Sequence, residues 1–341
     1  MQTPILLIAS TSLHLFDALI IALSSQKYAF YLYYIDRDST DDIYFKTLQD
    51  WEGNPFREMT LLCSDKTTLY QKVISKRRTI ASLIDAVEEL QPCSIIVGND
   101  RKTETAALIS YLNDQYPIDY MDDGLHSYLL EKRHPLQYTF LDNWLKYLIY
   151  GYKMHIPRCV GCSSSIRYLY LYAPHLRHIK LKRKKAFALD TSCLHTPQVQ
   201  NWLKMVIDTL KIDLEALHSD IQGILFLPHP KMLTPTIYQK LQEKLRHRSH
   251  IAIKCHPRDK TSATYFPSHK IIPQELSAEL IFLLYPQLKV YSFASTTLLM
   301  AKWLAPKLKV YALEFSQNDT PMQKLMQQNH IPLLSIDTID F

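Results

Sequence analysis

Two adjacent acids and a glycine, Asp122-Asp123-Gly124, directly follow "IDYM" (118–121), a short apolar stretch that predicts a strand. Two neighbouring carboxylates repel each other, and burial would raise the pKa of one toward the range useful for a general base. Acids before a glycine are also common in solvated turns. The tripeptide alone is therefore consistent with either an acid–base centre or a turn.

A histidine stands in the same position after a second apolar stretch. His256 follows "IAIKC" (251–255), and Pro257 keeps the next part of the chain out of a helix. Because the ordinary pKa of histidine lies near neutrality, an imidazole here could donate a proton or hydrogen bond to a departing phosphate. His134 and His229 also precede prolines, so the dipeptide alone favours a structural histidine at the end of a strand.

Hydroxyl side chains occupy a third strand end. "ASTT" (294–297) opens a predicted helix after "LKVYS" (288–292). Hydroxyls and free backbone N–H groups at the start of a helix form a natural anion site. Capping of that helix by Ser295 or Thr296 is the simpler alternative. No glycine-rich dinucleotide or P-loop motif is present, which argues against those two phosphate-binding chemistries.

Alternating apolar stretches and helical patterns along the whole chain predict an α/β protein. They predict two Rossmann-like domains, 1–175 and 198–341, which face each other across a cleft and are joined by a basic linker over 176–197. Ligands of open α/β sheets bind beyond the carboxyl ends of the strands, where the three clusters lie. The predicted strands are 4–9, 29–35, 59–63, 93–97, 118–121, 166–174, 223–228, 250–255, 270–272, 288–292 and 308–313.

Glycine is rare, with six residues in 341. Gly98 and Gly124 each follow a predicted strand. We expect both to occupy sharp turns with positive φ, a conformation that favours glycine.

The composition, 47% hydrophobic and 21% charged, is typical of a soluble globular protein. The chain shows no signal peptide and no stretch of roughly 20 apolar residues that would span a membrane. Its six cysteines include one close pair, "CVGC" (159–162), without a second pair at zinc-like spacing. We therefore expect reduced thiols and a cytoplasmic location.

The net charge of +6 is modest, and no nucleic-acid-binding signature accompanies it, which argues against a nucleic-acid partner. Much of the positive charge lies in "RHIKLKRKK" (177–185). Such a run is typical of a solvated linker; contact with the anionic inner membrane surface or with an acidic glycan is the alternative.

The order of the motifs resembles the bacterial sialyltransferases of GT-B fold, which carry a D/E-D/E-G motif, an HP motif and a paired Ser/Thr motif. The resemblance looks closest to the branch of capsular polysialyltransferases and lipooligosaccharide sialyltransferases. The stretches that carry it are "LLIASTSLHLFDALIIA" (6–22), "GNDRKTE" (98–104), "DDG" (122–124), "GCSSSIRYLYLYAP" (161–174), "KCHP" (254–257), "IPQEL" (272–276) and "SFASTTLL" (292–299).

This resemblance implies an inverting, metal-independent transfer, without a cofactor, of sialic acid from CMP-sialic acid to a hydroxyl of a bacterial surface glycan. It assigns Asp122 as the general base, with Asp123 as its neighbour and second candidate, and His256 as general acid or phosphate ligand. The other implied contacts are Lys254 beside the nucleotide, Pro257 within the HP motif, Glu275 on the ribose, Ser295 and Thr296 on the phosphate, and Asn99 on the acceptor side.

The opening of the chain departs from the family pattern, because "STSLHLFDA" (10–18) lacks the "PLQ" of these enzymes. Either His14 or Asp17 replaces those contacts, or both face solvent. Two other functions remain open at this point. One is a related transferase that uses CMP-pseudaminic acid, CMP-legionaminic acid or another nucleotide sugar, and the other is a non-catalytic α/β binding protein.

Overall fold

The computed structural model describes residues 2–36, 43–63, 68–130, 140–212, 221–256, 259, 261–314, 320–339 and 341. The chain divides into two compact units, Met1–Trp202 and Leu203–Phe341. Each unit contains a parallel β-sheet with helices in the connections, as the alternating sequence pattern predicts.

The N-terminal unit has seven parallel strands among its described residues, in the order β3-β2-β1-β4-β5-β6-β7. The strands are β1 (Thr3–Ala9), β2 (Tyr28–Asp36), β3 (Phe56–Cys63), β4 (Ser94–Val97), β5 (Ile118–Met121), β6 (Ile166–Leu171) and β7 (Lys185–Ala188). The helices are α1 (Ser12–Leu23), α2 (Ile43–Asp50), α3 (Leu69–Leu90), α4 (Thr103–Leu112) and α5 (Phe140–Tyr150), and α6 (Pro197–Leu210) contains the boundary between the two units.

The central strands of this sheet are buried on both faces. Every residue of β4 and β5 is buried, which explains why the two strands lack the regular apolar–polar alternation of a half-exposed sheet. The buried carboxylate of Asp119 in β5 is paired with Arg167 and hydrogen-bonded to Ser94. Tyr120 of β5 is fully buried, and its hydroxyl is hydrogen-bonded to the Ser127 hydroxyl at 2.8 Å. The carboxyl ends of β1, β4 and β5 are therefore held by a continuous core.

The C-terminal unit has six parallel strands among its described residues, in the order β10-β9-β8-β11-β12-β13. They are β8 (Gly223–Phe226), β9 (Ile251–Lys254), β10 (Ile271–Ile272), β11 (Lys289–Phe293), β12 (Lys309–Glu314) and β13 (Leu333–Ser335). Its helices are α7 (Pro235–Leu245), α8 (Ala278–Leu284), α9 (Thr296–Leu304) and α10 (Pro321–Gln328).

The predicted linker, 176–197, differs from what the structure shows. This segment belongs to the N-terminal unit and contributes β7, which pairs with β6 and closes one edge of the sheet. Lys185 lies over the rings of Tyr168 and Phe187, so part of the basic run packs against aromatic faces. A charged run of this kind looks like a linker in sequence because its pairing partner, β6 with Tyr168, lies earlier in the chain.

The cysteines also differ in part from the prediction of reduced thiols. Cys159 and Cys162 are joined by a disulfide, whereas the other four cysteines are not disulfide-bonded. The turn between the pair places their Cα atoms 5.4 Å apart, within the range a disulfide needs. Among the described residues, none of the helices is long and apolar enough to cross a bilayer.

Candidate active site

Three neighbouring strands bring His14, Asn99 and Asp123 together in the N-terminal unit. His14 lies in α1 after β1, Asn99 follows β4, and Asp123 follows β5. The sheet order places these strands side by side at the point where the chain reverses its direction across the sheet. This is where ligands of open α/β sheets bind.

Asp123 is the centre of this group. Its Oδ1 lies 3.1 Å from Nε2 of His14, and its Oδ2 accepts a hydrogen bond of 2.6 Å from the Asn99 amide. The other ring nitrogen of His14 lies 3.2 Å from the Ser10 hydroxyl. The Asp123 side chain is 12% exposed, whereas His14 is fully buried. Asp123 is therefore oriented from two sides and still reaches the surface of this unit.

Asp122 has the opposite environment. It is 0% exposed, and its Oδ2 accepts hydrogen bonds from the hydroxyl of Tyr128 and, at 3.1 Å, from the backbone N–H of Tyr172. Its Oδ1 is buried without a hydrogen-bond partner. Burial raises the pKa of Asp122 to about 7, and the hydrogen bond from Tyr128 only partly opposes the shift.

Asp122→Asn should make folding less sensitive to pH between about 4 and 7. In this interval the folded chain holds a proton on Asp122 that the unfolded chain releases, so wild-type stability falls as pH rises. The shift of the Asp122 pKa from 3.8 to about 7 corresponds to a change of at most roughly 4 kcal/mol in the free energy of unfolding across this interval. Urea unfolding at pH 4.5 and 7 measures the slope. Asp85→Asn, in the exposed face of α3, is the control, and an unchanged slope in Asp122→Asn would contradict the assignment.

The two glycines at these strand ends have different roles. Gly124 has φ of 61°, as predicted. Gly98 is not among the glycines with positive φ, so that prediction was wrong for this position. A Cβ atom on Gly98 would lie 2.5 Å from the His14 ring. Gly98 is required because the imidazole packs directly against its backbone.

His14 and Asp17, the two candidate residues of "STSLHLFDA" (10–18), are buried, so neither faces solvent. His14 joins Asp123, and Asp17 accepts a hydrogen bond from the Tyr172 hydroxyl. Tyr172 thus contacts Asp17 through its hydroxyl and Asp122 through its backbone. The sequence indicated neither contact, because Tyr172 follows β6, about 50 residues after Asp122.

In the C-terminal unit, the strand order β9-β8-β11 places three candidate groups at adjacent strand ends. His256 follows β9, His229 follows β8, and Ser295 follows β11. The rings of His229 and His256 are 5.0 Å apart, edge to face. The sequence treated His229 as a separate HP dipeptide; the structure makes it the neighbour of His256. Pro257, the second residue of the motif, lies outside the described residues.

Ser295 is the N-cap residue of α9, but its side chain makes no capping hydrogen bond. Its hydroxyl lies 3.3 Å from that of Ser292, which donates to the Phe226 carbonyl and so ties β11 to β8. Ser295 and Thr296 are both partly exposed. The hydroxyl of Ser295 is thus not used for the simpler capping role, and the start of α9 retains the dipole and N–H groups that attract an anion.

Lys254 is 4% exposed and donates a hydrogen bond of 2.7 Å to the carbonyl of Pro273. Burial lowers its pKa to about 8, with Glu275 and Glu279 opposing the shift. Lys254 therefore supports the segment that carries Glu275, which is exposed. Glu279, in the first turn of α8, is half-buried, and burial raises its pKa. Glu279 stands four residues after Glu275 and was not among the predicted site residues.

No protein-family model and no curated protein matches this sequence. Solved structures do match it in fold. UGT89C1 of Arabidopsis thaliana, in complex with UDP-L-rhamnose, has a TM-score of 0.55 at 10% identity, over 100% of this chain and 87% of that chain. UDP-GlcNAc 2-epimerase of Neisseria meningitidis, bound to UDP-GlcNAc, has a TM-score of 0.55 at 14% identity, over 97% and 87%.

UGT71G1 of Medicago truncatula, in complex with UDP-glucose, has a TM-score of 0.54 at 12% identity, over 98% of this chain and 86% of that chain. The structural similarity covers nearly the whole chain. The sequence identities are too low to infer the substrate or the reaction of this protein from those of the others. Together with the two parallel α/β sheets, the structural similarity shows that the chain has the GT-B fold.

Proposed function

We propose that this protein is an inverting glycosyltransferase that moves sialic acid from CMP-sialic acid to a hydroxyl of a bacterial surface glycan. The arrangement of Asp123 between His14 and Asn99, with Asp122 buried beneath it, is the observation that carries this proposal. The Asp123 carboxylate is held in a fixed orientation at the end of a strand. A carboxylate in this position can take the proton that an acceptor hydroxyl must lose during transfer.

The different exposure of the two acids assigns their roles. A general base must contact the hydroxyl it deprotonates, and Asp123 reaches the surface whereas Asp122 does not. We therefore assign Asp123 as the base and Asp122 as its buried support, which reverses the order inferred from the sequence. His14 and Asn99 position the Asp123 carboxylate from both sides.

In the proposed reaction, the acceptor oxygen attacks the anomeric carbon while Asp123 takes its proton. The bond from that carbon to the phosphate oxygen breaks, and CMP leaves with the electron pair. His256 donates a hydrogen bond or proton to this phosphate, and the start of α9 with Ser295 and Thr296 stabilises its charge. Imidazole, hydroxyls and backbone N–H groups thus supply the stabilisation, and the proposed step uses no metal ion or cofactor.

The proposed ribose contact has two candidate carboxylates, Glu275 and Glu279. Glu275 is exposed, so its carboxylate would be well solvated before binding. Glu279 is half-buried close to Lys254, where a hydrogen bond to a ribose hydroxyl is less screened by water. We retain Glu275 as a candidate and add Glu279.

A transferase that uses another nucleotide sugar is the second candidate, because the structures with similar folds include proteins solved with UDP-L-rhamnose, UDP-glucose and UDP-GlcNAc. Within the CMP class, pseudaminic and legionaminic acids carry the same carboxylate and anomeric centre as sialic acid. Nucleotide binding therefore distinguishes the CMP class from the other classes, and transfer assays then distinguish the sugars.

CMP should stabilise the protein against thermal unfolding, whereas UDP and GDP should not. At a hundred times its dissociation constant, a ligand specific for the folded state contributes about 2.7 kcal/mol. Differential scanning fluorimetry with each nucleotide measures this shift. The double variant Ser295→Ala/Thr296→Val should reduce the CMP shift, and Thr209→Val, an exposed position in α6, is the matched control.

Incubation with CMP-sialic acid and labelled glycan acceptors, followed by mass analysis, then tests transfer itself. Stabilisation by UDP but not by CMP would contradict the donor assignment. Conversion of UDP-GlcNAc to its epimer without any transfer from CMP-sialic acid would contradict the proposed reaction.

A further inference from the structure

A cluster of two thiols and an imidazole lies in the N-terminal unit, apart from the strand-end residues described above. The sulfur atoms of Cys159 and Cys162 and a ring nitrogen of His178 all lie within 4.8 Å of one another. We propose that, in the reduced protein, these three side chains bind a structural zinc ion. This inference does not depend on the proposed function.

His178 is the observation that points to a ligand. The residue is 6% exposed, and neither ring nitrogen makes a hydrogen bond of normal geometry, although the backbone of Val160 lies near the ring. Leaving a buried polar group unpaired costs about 1–3 kcal/mol. A metal ion bound to one ring nitrogen would remove much of this cost. Neutral imidazole, the form that binds metal ions, is a common zinc ligand.

The loop that carries the cysteines is already held in place. Asp100 accepts hydrogen bonds of 2.8 Å from the backbone N–H of Gly161 and 2.9 Å from that of Ser163. Gly161 has φ of 72°, and a Cβ atom there would lie 3.3 Å from both Tyr120 and Leu181. The turn between the two cysteines is thus fixed by the core rather than by the sulfur atoms alone, so it can persist when the thiols are reduced.

His178 is fixed with equal firmness. Its backbone N–H donates to the Ser127 carbonyl at 3.1 Å, and its own carbonyl accepts from Leu181 at 2.9 Å. The ring therefore approaches the cysteine turn from a different part of the chain, sixteen residues after Cys162. The spacing of cysteines in the sequence could not indicate this third ligand, because it is a histidine in another segment.

The disulfide and the metal site are alternative states of the same two cysteines. A tetrahedral zinc ion holds sulfur atoms at about 2.3 Å and nitrogen at about 2.0–2.1 Å, so two zinc-bound sulfurs lie about 3.8 Å apart. Reduction of the disulfide releases the sulfurs to separate to that distance. Both cysteines also line an open pocket of about 350 Å³, from which water would complete the coordination.

A zinc ion here would stabilise the residues next to the proposed active site without taking part in transfer. Asp100 holds the cysteine turn, and its neighbour Asn99 holds Asp123. On the other side, Ser127 accepts from His178 through its carbonyl, while its hydroxyl accepts from the backbone N–H of Asp123. The proposed site is thus connected to Asp123 from two directions.

Zinc content of the full chain tests the proposal. The protein is reduced completely, loaded with zinc, dialysed and measured by elemental analysis together with a thiol count. We expect about one zinc ion per chain, and about a tenth of that or less in Cys159→Ser, Cys162→Ser and His178→Ala. Cobalt(II) loading should give a thiolate charge-transfer absorption that the cysteine variants lose. Cys193→Ser and His247→Ala, which lie outside the cluster, should match the wild type.

The oxidised wild type provides a test that needs no substitution. With the Cys159–Cys162 disulfide intact and the fold confirmed by circular dichroism, the chain should retain no zinc, and reduction should restore binding. Equal zinc retention in the oxidised and reduced forms would overturn the assignment. Fully reduced wild type that retains no zinc, or a folded His178→Ala variant that retains as much as wild type, would do the same.

Discussion

Asp123→Asn should lower kcat for transfer from CMP-sialic acid by about 10²–10⁴-fold, the usual contribution of general acid–base catalysis. The substitution keeps the shape of the side chain and an oxygen that can accept from Asn99 or lie near His14. It removes the ability to take a proton. Because Asp123 is proposed to contact the acceptor hydroxyl and not the nucleotide, the affinity for CMP should remain within about twofold of wild type.

Initial rates at saturating donor and acceptor measure this loss, and CMP titration measures affinity separately. Asp85→Asn removes an exposed carboxylate from the same unit and should leave both values unchanged. Asp122→Asn should have the smaller effect on kcat, about tenfold, since it weakens the support of Asp123 without removing its basicity. If Asp123→Asn were active and Asp122→Asn inactive, Asp122 would be the general base, as the sequence suggested.

The fold could be predicted from the sequence because most of its strands are short, continuous apolar runs. "IDYM" matches β5 residue for residue, and "SIIV" and "IAIK" are buried throughout as central strands of parallel sheets. The two strands that were missed lie at sheet edges. β7 follows a basic run and β13 has three residues, so neither has the apolar pattern that burial on two faces produces.

The positions of Asp122, Asp123, His256 and Ser295 directly after strands could also be predicted, because a parallel sheet fixes where strands end relative to each other. The different environments of the two acids could not be predicted in the same way. The burial of Asp122 depends on Tyr128 and Tyr172, and the position of Asp123 depends on His14, which lies more than 100 residues earlier. Local sequence shows two equivalent acids; only long-range packing makes one buried and the other accessible.

The pairing of His229 with His256 has the same explanation. In sequence, the two HP dipeptides are 27 residues apart and look like independent turns. In the sheet, β8 and β9 are adjacent, so their ends bring the two rings to 5.0 Å. The signal that could have revealed this pair was the expected adjacency of consecutive parallel strands.

His256→Ala should lower kcat by about 10²–10⁴-fold and, unlike Asp123→Asn, should also weaken CMP binding. The His256 imidazole is proposed to contact the phosphate of the CMP leaving group. This contact would stabilise both the bound donor and the transition state. Removal of one hydrogen bond to a charged group costs about 1.5–3 kcal/mol, which corresponds to roughly a 10- to 150-fold loss of affinity. Calorimetric titration with CMP and initial rates measure the two effects on the same samples.

The neighbouring histidine allows the ring contact to be separated from the phosphate contact. His229→Phe keeps an aromatic ring against His256, whereas His229→Ala removes it, and such a contact contributes about 0.5–1.5 kcal/mol. We therefore expect His229→Ala to lower kcat by about two- to tenfold and His229→Phe to lower it less, with His247→Ala as the control on an exposed histidine. If His256→Ala retained wild-type kcat with a labelled donor while His229→Ala lost it, the phosphate contact would belong to His229, and the HP motif after β9 would be structural.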